Sequence, residues 1–168
     1  MATQGAESDS EADRELRRFG KELRAARQAA GLTLAQVAER AGVSHMTVSR
    51  TELGQRNPRW SVMHALAHAL GRRLGLGVRV GGDDDAQQVL RRFGEELRAA
   101  RQAAGLSQEQ IAAKAGVSQV TVSFAERGEQ NLRWSIMYAL ARALGYRLKP
   151  VLGPAACIRK KRRALINF

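Results

Sequence analysis

The sequence predicts an all-α protein made of two tandem helical domains, and three observations support this prediction. The 168 residues are 44% apolar but only 5% aromatic and include three prolines, a composition that favours helices over sheets. Residues 16–74 align without gaps with residues 90–148 and are identical at 40 of 59 positions. Within each repeat, apolar residues recur at helical spacing in segments separated by glycines. The chain therefore contains a duplicated domain of four predicted helices.

The helix boundaries follow from capping signals. In the first repeat Phe19 and Leu23 share a helical face, and Gly31 ends this helix. Thr33 and Gln36 form a capping box that begins a second helix. Ser44 caps a third helix. A fourth helix follows, and the second repeat carries the same signals. We predict the following buried faces for the two fourth helices: Trp60, Met63, Leu66 and Leu70, and Trp134, Met137, Leu140 and Leu144.

Short extended segments at 74–80 and 146–152 follow the fourth helices and are predicted to be strands. They pair either with each other within one chain or between two chains as a homodimer. The predicted domain organisation is a disordered N-terminus (1–9), a first domain (10–80), a linker (81–85), a second domain (86–152) and a basic C-terminal tail (153–168).

Charge and cysteine content restrict the function. The net charge of +12 favours a polyanionic partner, and residues 16–82 carry about +9 against about +2 for residues 83–152. Cys157 is the only cysteine, so the spacing of a zinc finger is absent and we predict no metal and no cofactor. The acidic N-terminus does not resemble a signal peptide, and apolar runs are too short to span a membrane. We expect a cytoplasmic, nucleoid-associated protein with no membrane partner.

The central motif lies in the second and third predicted helices. Ala38 allows two helices to approach, Gly42 accepts a left-handed turn, and Val48 fills the joint between them. Ala112, Gly116 and Val122 repeat the pattern. Both segments, 31–54 and 105–128, closely resemble the lambda-repressor-like (Xre-type) helix-turn-helix family. The resemblance implies double-stranded DNA as the partner, with the third helix of each copy in the major groove.

The resemblance also implies which side chains contact DNA. The predicted base-reading residues are His45, Met46, Thr47 and Arg50 in the first copy and Gln119, Val120, Thr121 and Phe124 in the second. The predicted backbone contacts are Ser44, Arg56, Asn57 and Arg59 in the first copy and Gln108, Ser118, Gln130, Asn131 and Arg133 in the second. Leu34 stands where Gln108 would be expected in the first copy. Glu52 and Glu126 are assigned a structural role.

Arginines on the first helix of each copy either flank the DNA backbone or keep the helix solvated. They are Arg17, Arg18, Arg24 and Arg27, and their equivalents Arg91, Arg92, Arg98 and Arg101.

Together these features predict a sequence-specific DNA-binding transcriptional regulator. We expect a repressor that binds an asymmetric or pseudo-palindromic operator as an intramolecular pseudo-dimer. The alternative is an antitoxin that binds a toxin partner and regulates its own operon, with the basic tail as a partner-binding segment. A sequence-independent architectural protein is a weaker reading. We predict no enzymatic activity, because His64 and His68 lie four residues apart on one helix but have no third ligand.

Overall fold

The computed structural model describes residues 3–76 and 85–154. The first copy consists of α1 (Thr3–Ala29), α2 (Leu34–Ala41), α3 (His45–Glu52), α4 (Trp60–Ala69) and β1 (Arg72–Leu76). The second consists of α5 (Ala86–Ala103), α6 (Gln108–Ala115), α7 (Gln119–Arg127), α8 (Trp134–Ala143) and β2 (Pro150–Pro154). The predicted fold of two helical domains, each followed by a strand, is confirmed.

Some boundaries differ from those predicted. Helix α1 begins at Thr3, so it includes most of the segment predicted to be a disordered N-terminus. Strand β1 begins two residues before its predicted start, and β2 begins four residues after its predicted start. Residues 77–84, and the basic tail from residue 155 onward, lie outside the described residues.

The capping signals form as the sequence predicts. The Thr33 side chain accepts a hydrogen bond from the amide of Gln36, and the Gln36 side chain accepts one from the amide of Thr33, at 3.2 and 2.9 Å. Gly42, at the end of α2, has a φ of 64°. This left-handed conformation makes the tight turn that sets the angle between α2 and α3.

One apolar core runs through the helices of both copies. In the first copy Phe19, Val48 and Trp60 are fully buried. Helix α1 packs directly on the end of α3, because a Cβ added at Gly20 would lie 2.5 Å from the carbonyl oxygen of Thr51. Only glycine permits this contact, which fixes the orientation of α3 relative to α1.

The strands join the two copies within one chain. Strand β1 pairs antiparallel with β2, and Leu74 lies opposite Leu152 in this ladder. Leu74 and Leu76 are buried, so the sheet continues the apolar core across the junction. The expected pairing of the two strands is confirmed, and it is intramolecular.

Two contacts reveal a pseudo-two-fold axis. Arg59 forms a β-bridge with Arg133, and Leu76 lies opposite Pro150 in the sheet. The members of each pair are 74 positions apart, which is the spacing of the repeat, so equivalent residues meet each other. Equivalent residues meet only on a two-fold axis. The two copies therefore form, inside one chain, the kind of interface that two identical subunits form in a homodimer.

The N-terminal turns of α1 break this symmetry by packing on α8. The indole Nε1 of Trp134 donates to the carbonyl of Ala12 at 3.0 Å, and the Tyr138 hydroxyl donates to Glu11 at 3.0 Å. Burial, with a smaller contribution from this hydrogen bond, raises the pKa of Tyr138 to about 12. Helix α5 begins at Ala86, the equivalent of Ala12, and so lacks these turns. The contacts of the N-terminal turns of α1 therefore stabilise the second copy and have no equivalent on the first among the described residues.

Candidate nucleic-acid interface

The third helix of each copy, α3 or α7, is fixed at its N-terminus by a serine cap. The Ser44 hydroxyl accepts a hydrogen bond from the amide of Thr47 at 3.2 Å, and that of Ser118 accepts from the amide of Thr121 at 3.1 Å. In each pair the two hydroxyls are also hydrogen-bonded, at 2.9 and 2.8 Å. The cap satisfies an amide that the helix itself leaves unpaired.

These caps include the side chains of the two threonines that we predicted to read bases, Thr47 and Thr121. Thr47 is only 8% exposed, and its hydroxyl is shared between Ser44 and Arg56. Thr121 is half-buried and hydrogen-bonded to Ser118. Both hydroxyls take part in the cap at the start of the helix, and their predicted contact with bases stays a prediction.

The remaining predicted base-reading side chains project into solvent from one side of each helix. His45, Met46 and Arg50 are exposed on α3, and Gln119, Val120 and Phe124 are exposed on α7. Met46, Val120 and Phe124 are 49, 62 and 36% exposed, which is unusual for large apolar side chains. Residues four positions apart share a helical face, so each set forms one surface.

A buried ion pair ties α3 to α1. The guanidinium of Arg27 contacts the Glu52 carboxylate through two bonds, Nε to Oε1 at 2.6 Å and Nη2 to Oε2 at 3.0 Å. Its Nη1 donates to the carbonyl of Leu32 at 2.9 Å. The hydrogen bond to Glu52 raises the pKa of Arg27. Arg27 is therefore neither solvated nor free for DNA, and its role is to hold the end of α3 against α1.

The equivalent pair in the second copy has a third member. Arg101 contacts Glu126 at 2.5 and 3.0 Å, and the Gln108 side chain donates to Glu126 at 2.9 Å. Burial alone would raise the pKa of Glu126, but the hydrogen bonds from Arg101 and Gln108 and the charges of Arg101 and Arg98 lower it. Gln108, predicted to contact the DNA backbone, thus braces the carboxylate that orients α7. The structural role predicted for Glu52 and Glu126 agrees with this arrangement.

The predicted backbone contacts after each third helix divide into two groups. Arg56, Arg59, Gln130 and Arg133 are exposed, and Nη1 of Arg56 lies 3.4 Å from the Thr47 hydroxyl beside α3. Arg59 and Arg133 lie on the pseudo-two-fold axis. These four side chains remain candidates for phosphate contacts.

Asn57 and Asn131 form the other group, because their side chains cross the interface between the copies. Asn57 donates to the Ser135 hydroxyl at 2.6 Å and accepts from the Ser135 amide at 3.1 Å. Asn131 makes the same two bonds to Ser61, also at 2.6 and 3.1 Å. Each amide both donates and accepts across the interface, so these residues join the two copies, and their predicted contact with DNA stays a prediction. Nothing in a single repeat distinguishes an asparagine used in this way, and Ser61 and Ser135 were not predicted.

In the part of the chain that the structure describes, no three histidine, cysteine or carboxylate side chains are grouped as metal ligands, including around His64 and His68. Among those same residues, no helix combines the length and apolar character needed to cross a bilayer.

Comparisons with known families agree with this geometry. Residues 18–75 match a family described as a helix-turn-helix domain, and residues 97–150 match a second family described as helix-turn-helix. The two matches cover the two structural copies, from α1 to β1 and from α5 to the start of β2. Comparison with curated proteins and with solved structures gave no significant match.

Proposed function

The chain belongs to the lambda-repressor-like helix-turn-helix family, of which it carries two tandem domains, and from this we propose that it is a sequence-specific transcriptional repressor. Helix-turn-helix domains are typical of DNA-binding regulators, so they favour a regulator over an enzyme. We propose further that one chain occupies one operator, with the two copies bound to two half-sites. No contact among the described residues favours the antitoxin alternative.

The observation that carries this proposal is the pseudo-two-fold relation of α3 and α7. Dimers of helix-turn-helix proteins place two recognition helices in successive major grooves, because the symmetry of the protein matches the symmetry of duplex DNA. Here the bridge between Arg59 and Arg133 and the sheet between β1 and β2 supply that symmetry within one chain. The second helix-turn-helix domain therefore binds at an effective concentration set by a folded interface, without a monomer–dimer equilibrium.

The exposed side chains predict that the two half-sites differ. Arg50 on α3 matches the acceptors of a guanine edge, whereas its equivalent in α7 is Phe124, which suits a thymine methyl group. Gln119 matches an adenine edge, and its equivalent is His45. Each good bidentate pair discriminates by about 1–3 kcal/mol against a wrong base. The proposed operator is therefore pseudo-palindromic, with a guanine contact in one half.

The proposed contacts to the DNA backbone come from the exposed arginines near the pseudo-two-fold axis of the protein. Arg59 and Arg133 contact phosphates between the half-sites, and Arg56 contacts a phosphate beside α3. Such contacts position the protein without reading sequence. The excess positive charge of the first copy supports its role as the stronger electrostatic anchor.

Selection of bound sites from a random duplex library, with the full chain, tests the proposal. We expect two unequal half-sites with centres about one helical turn apart. Arg50→Ala should relax base preference in one half only, and Gln119→Ala in the other only. Loss of both preferences in a single variant, a perfectly palindromic site, or the absence of any enriched site would contradict it.

A further inference from the structure

Helix α7 ends in an exposed arginine, Arg127, to which the proposed function assigns no role. The Arg127 guanidinium carbon lies 4.8 Å from the centroid of the Phe124 ring, within the range of a cation–π contact. Its Nε donates to the carbonyl of Ser123 at 3.3 Å, and its Nη1 lies 3.3 Å from Glu129. The side chain of Arg127 is 51% exposed, so a fixed cation faces solvent at the end of the helix.

The equivalent surface of the first copy has its cation elsewhere. Leu53 is the equivalent of Arg127 and is 49% exposed, whereas Arg56 is the equivalent of Gln130. Each copy thus carries one arginine at these two positions, at the second position in the first copy and at the first position in the second copy. In the first copy Arg56 reaches back to the start of α3 through Thr47. In the second copy the positive charge lies three residues earlier, at the last residue of α7.

The position of Arg127 suits a phosphate better than a base. Base edges are read by side chains near the N-terminus of a recognition helix. At 1.5 Å per residue, Arg127 lies about 12 Å along α7 from Gln119. That distance is comparable to the roughly 12 Å width of the major groove. A guanidinium this far from Gln119, the first reading residue of α7, lies at the level of the phosphates that line the groove.

The present partners of Arg127 leave it available to such a ligand. An exposed ion pair like that with Glu129 contributes little free energy, so a phosphate can displace the carboxylate. Stacking on Phe124 remains possible at the same time, because the ring holds one face of the guanidinium while its edge carries the hydrogen-bond donors. The ring therefore positions the donors without consuming them.

We propose that Arg127, held on the ring of Phe124, binds a DNA phosphate of the second half-site and takes there the place that Arg56 has in the first. This inference rests on the proposed function. A phosphate contact by Arg127 makes the electrostatic contributions of the two copies to DNA binding more equal than their net charges suggest. Glu129 then limits the affinity, because its carboxylate competes with the phosphate.

The salt dependence of operator binding tests the proposal. Titrations of the full chain with the selected duplex, at about 50 to about 200 mM salt, give the slope of log K against log salt. Arg127→Ala should reduce the magnitude of this slope by about 0.9, the value for one phosphate. It should also lower affinity about tenfold at the lowest salt. Arg127→Lys should retain the slope because it retains the charge.

Matched variants separate this role from a structural one. Leu53→Ala changes the equivalent position of the first copy and should leave the slope unchanged. Glu129→Gln should raise affinity at low salt, because it removes the competing carboxylate. An Arg127→Ala slope equal to that of the wild type, or a slope reduced as much in Arg127→Lys as in Arg127→Ala, would overturn the inference while leaving the proposed function intact. Failure of the wild type to bind any duplex would instead refute the proposed function.

Discussion

Substitution of the two asparagines that cross the interface should show whether they stabilise the junction between the copies or contact DNA. Asn57 and Asn131 each make two hydrogen bonds to a serine of the other copy. A net contribution of about 0.5–1.5 kcal/mol per bond gives about 2 kcal/mol for Asn57→Ala, and the same for Asn131→Ala. For a chain of this size, 2 kcal/mol corresponds to a fall in Tm of about 4–8 °C.

The assay combines urea unfolding with two DNA titrations. One duplex carries the full operator, and the other carries a single half-site. The double variant should lose affinity for the full operator, because the two recognition helices are held less firmly at a fixed spacing, but it should bind the half-site as the wild type does. Gln55→Ala, an exposed position of the same loop, provides the control and should change neither stability nor binding.

Two results would refute this reasoning. Equal losses of affinity for the half-site and for the full operator would mean that Asn57 and Asn131 contact DNA after all. Unchanged stability in both single variants would mean that their hydrogen bonds to Ser135 and Ser61 do not stabilise the junction.

Three further predictions concern the framework that holds the recognition helices. Trp134→Phe should lower the free energy of unfolding by about 1 kcal/mol, because it removes the hydrogen bond to α1. Trp60→Phe should lower it less, because in the described part of the chain the buried Nε1 of Trp60 has no partner. Equal losses of unfolding free energy in urea would contradict the prediction that α1 stabilises only the second copy in this way. The folded-state pKa of Glu126 is lowered, so its contribution to stability is present above the ordinary glutamate pKa of about 4.3 and is lost as the pH falls through the folded-state value. Unfolding curves of Glu126→Gln should therefore converge with those of the wild type at low pH. A difference in unfolding free energy that stays constant with pH would contradict this. Gly20→Ala should destabilise the chain by about 2 kcal/mol or more, because the new Cβ meets backbone that has little freedom to move; a wild-type Tm would show that α1 shifts without cost.

The sequence predicted the local structure of each copy well because its signals are local. The capping box at Thr33, the serine cap at Ser44 and the left-handed Gly42 each act within one turn, and all three form as expected. The repeat also made the pairing of the two strands a natural expectation. The strand boundaries were less accessible, since β2 begins at Pro150 where the sequence indicated a start at residue 146.

The roles of individual polar side chains were harder to predict. Asn57, Thr47 and Arg27 all have chemistry that suits DNA, and a sequence does not reveal that Ser135, Ser44 or Glu52 already occupies them. The partners of Asn57 and Arg27 come from the opposite copy and from 25 residues away, and such contacts exist only after the chain has packed. The contact between Ser44 and Thr47 lies within one turn, but the sequence did not show that the cap includes the threonine hydroxyl. The exposed reading side chains remain predictions, because their function depends on DNA that the chain alone does not contain.

The mass of the complex between the protein and its selected operator tests the central claim most directly. The chain is 18.4 kDa, and we predict that light scattering with a stoichiometric duplex gives one chain per operator at all protein concentrations that saturate the site. The free protein should then be a monomer, because the pairing surface that a homodimer would use is occupied within the chain. Two chains on one operator, each contributing one recognition helix, would contradict the account.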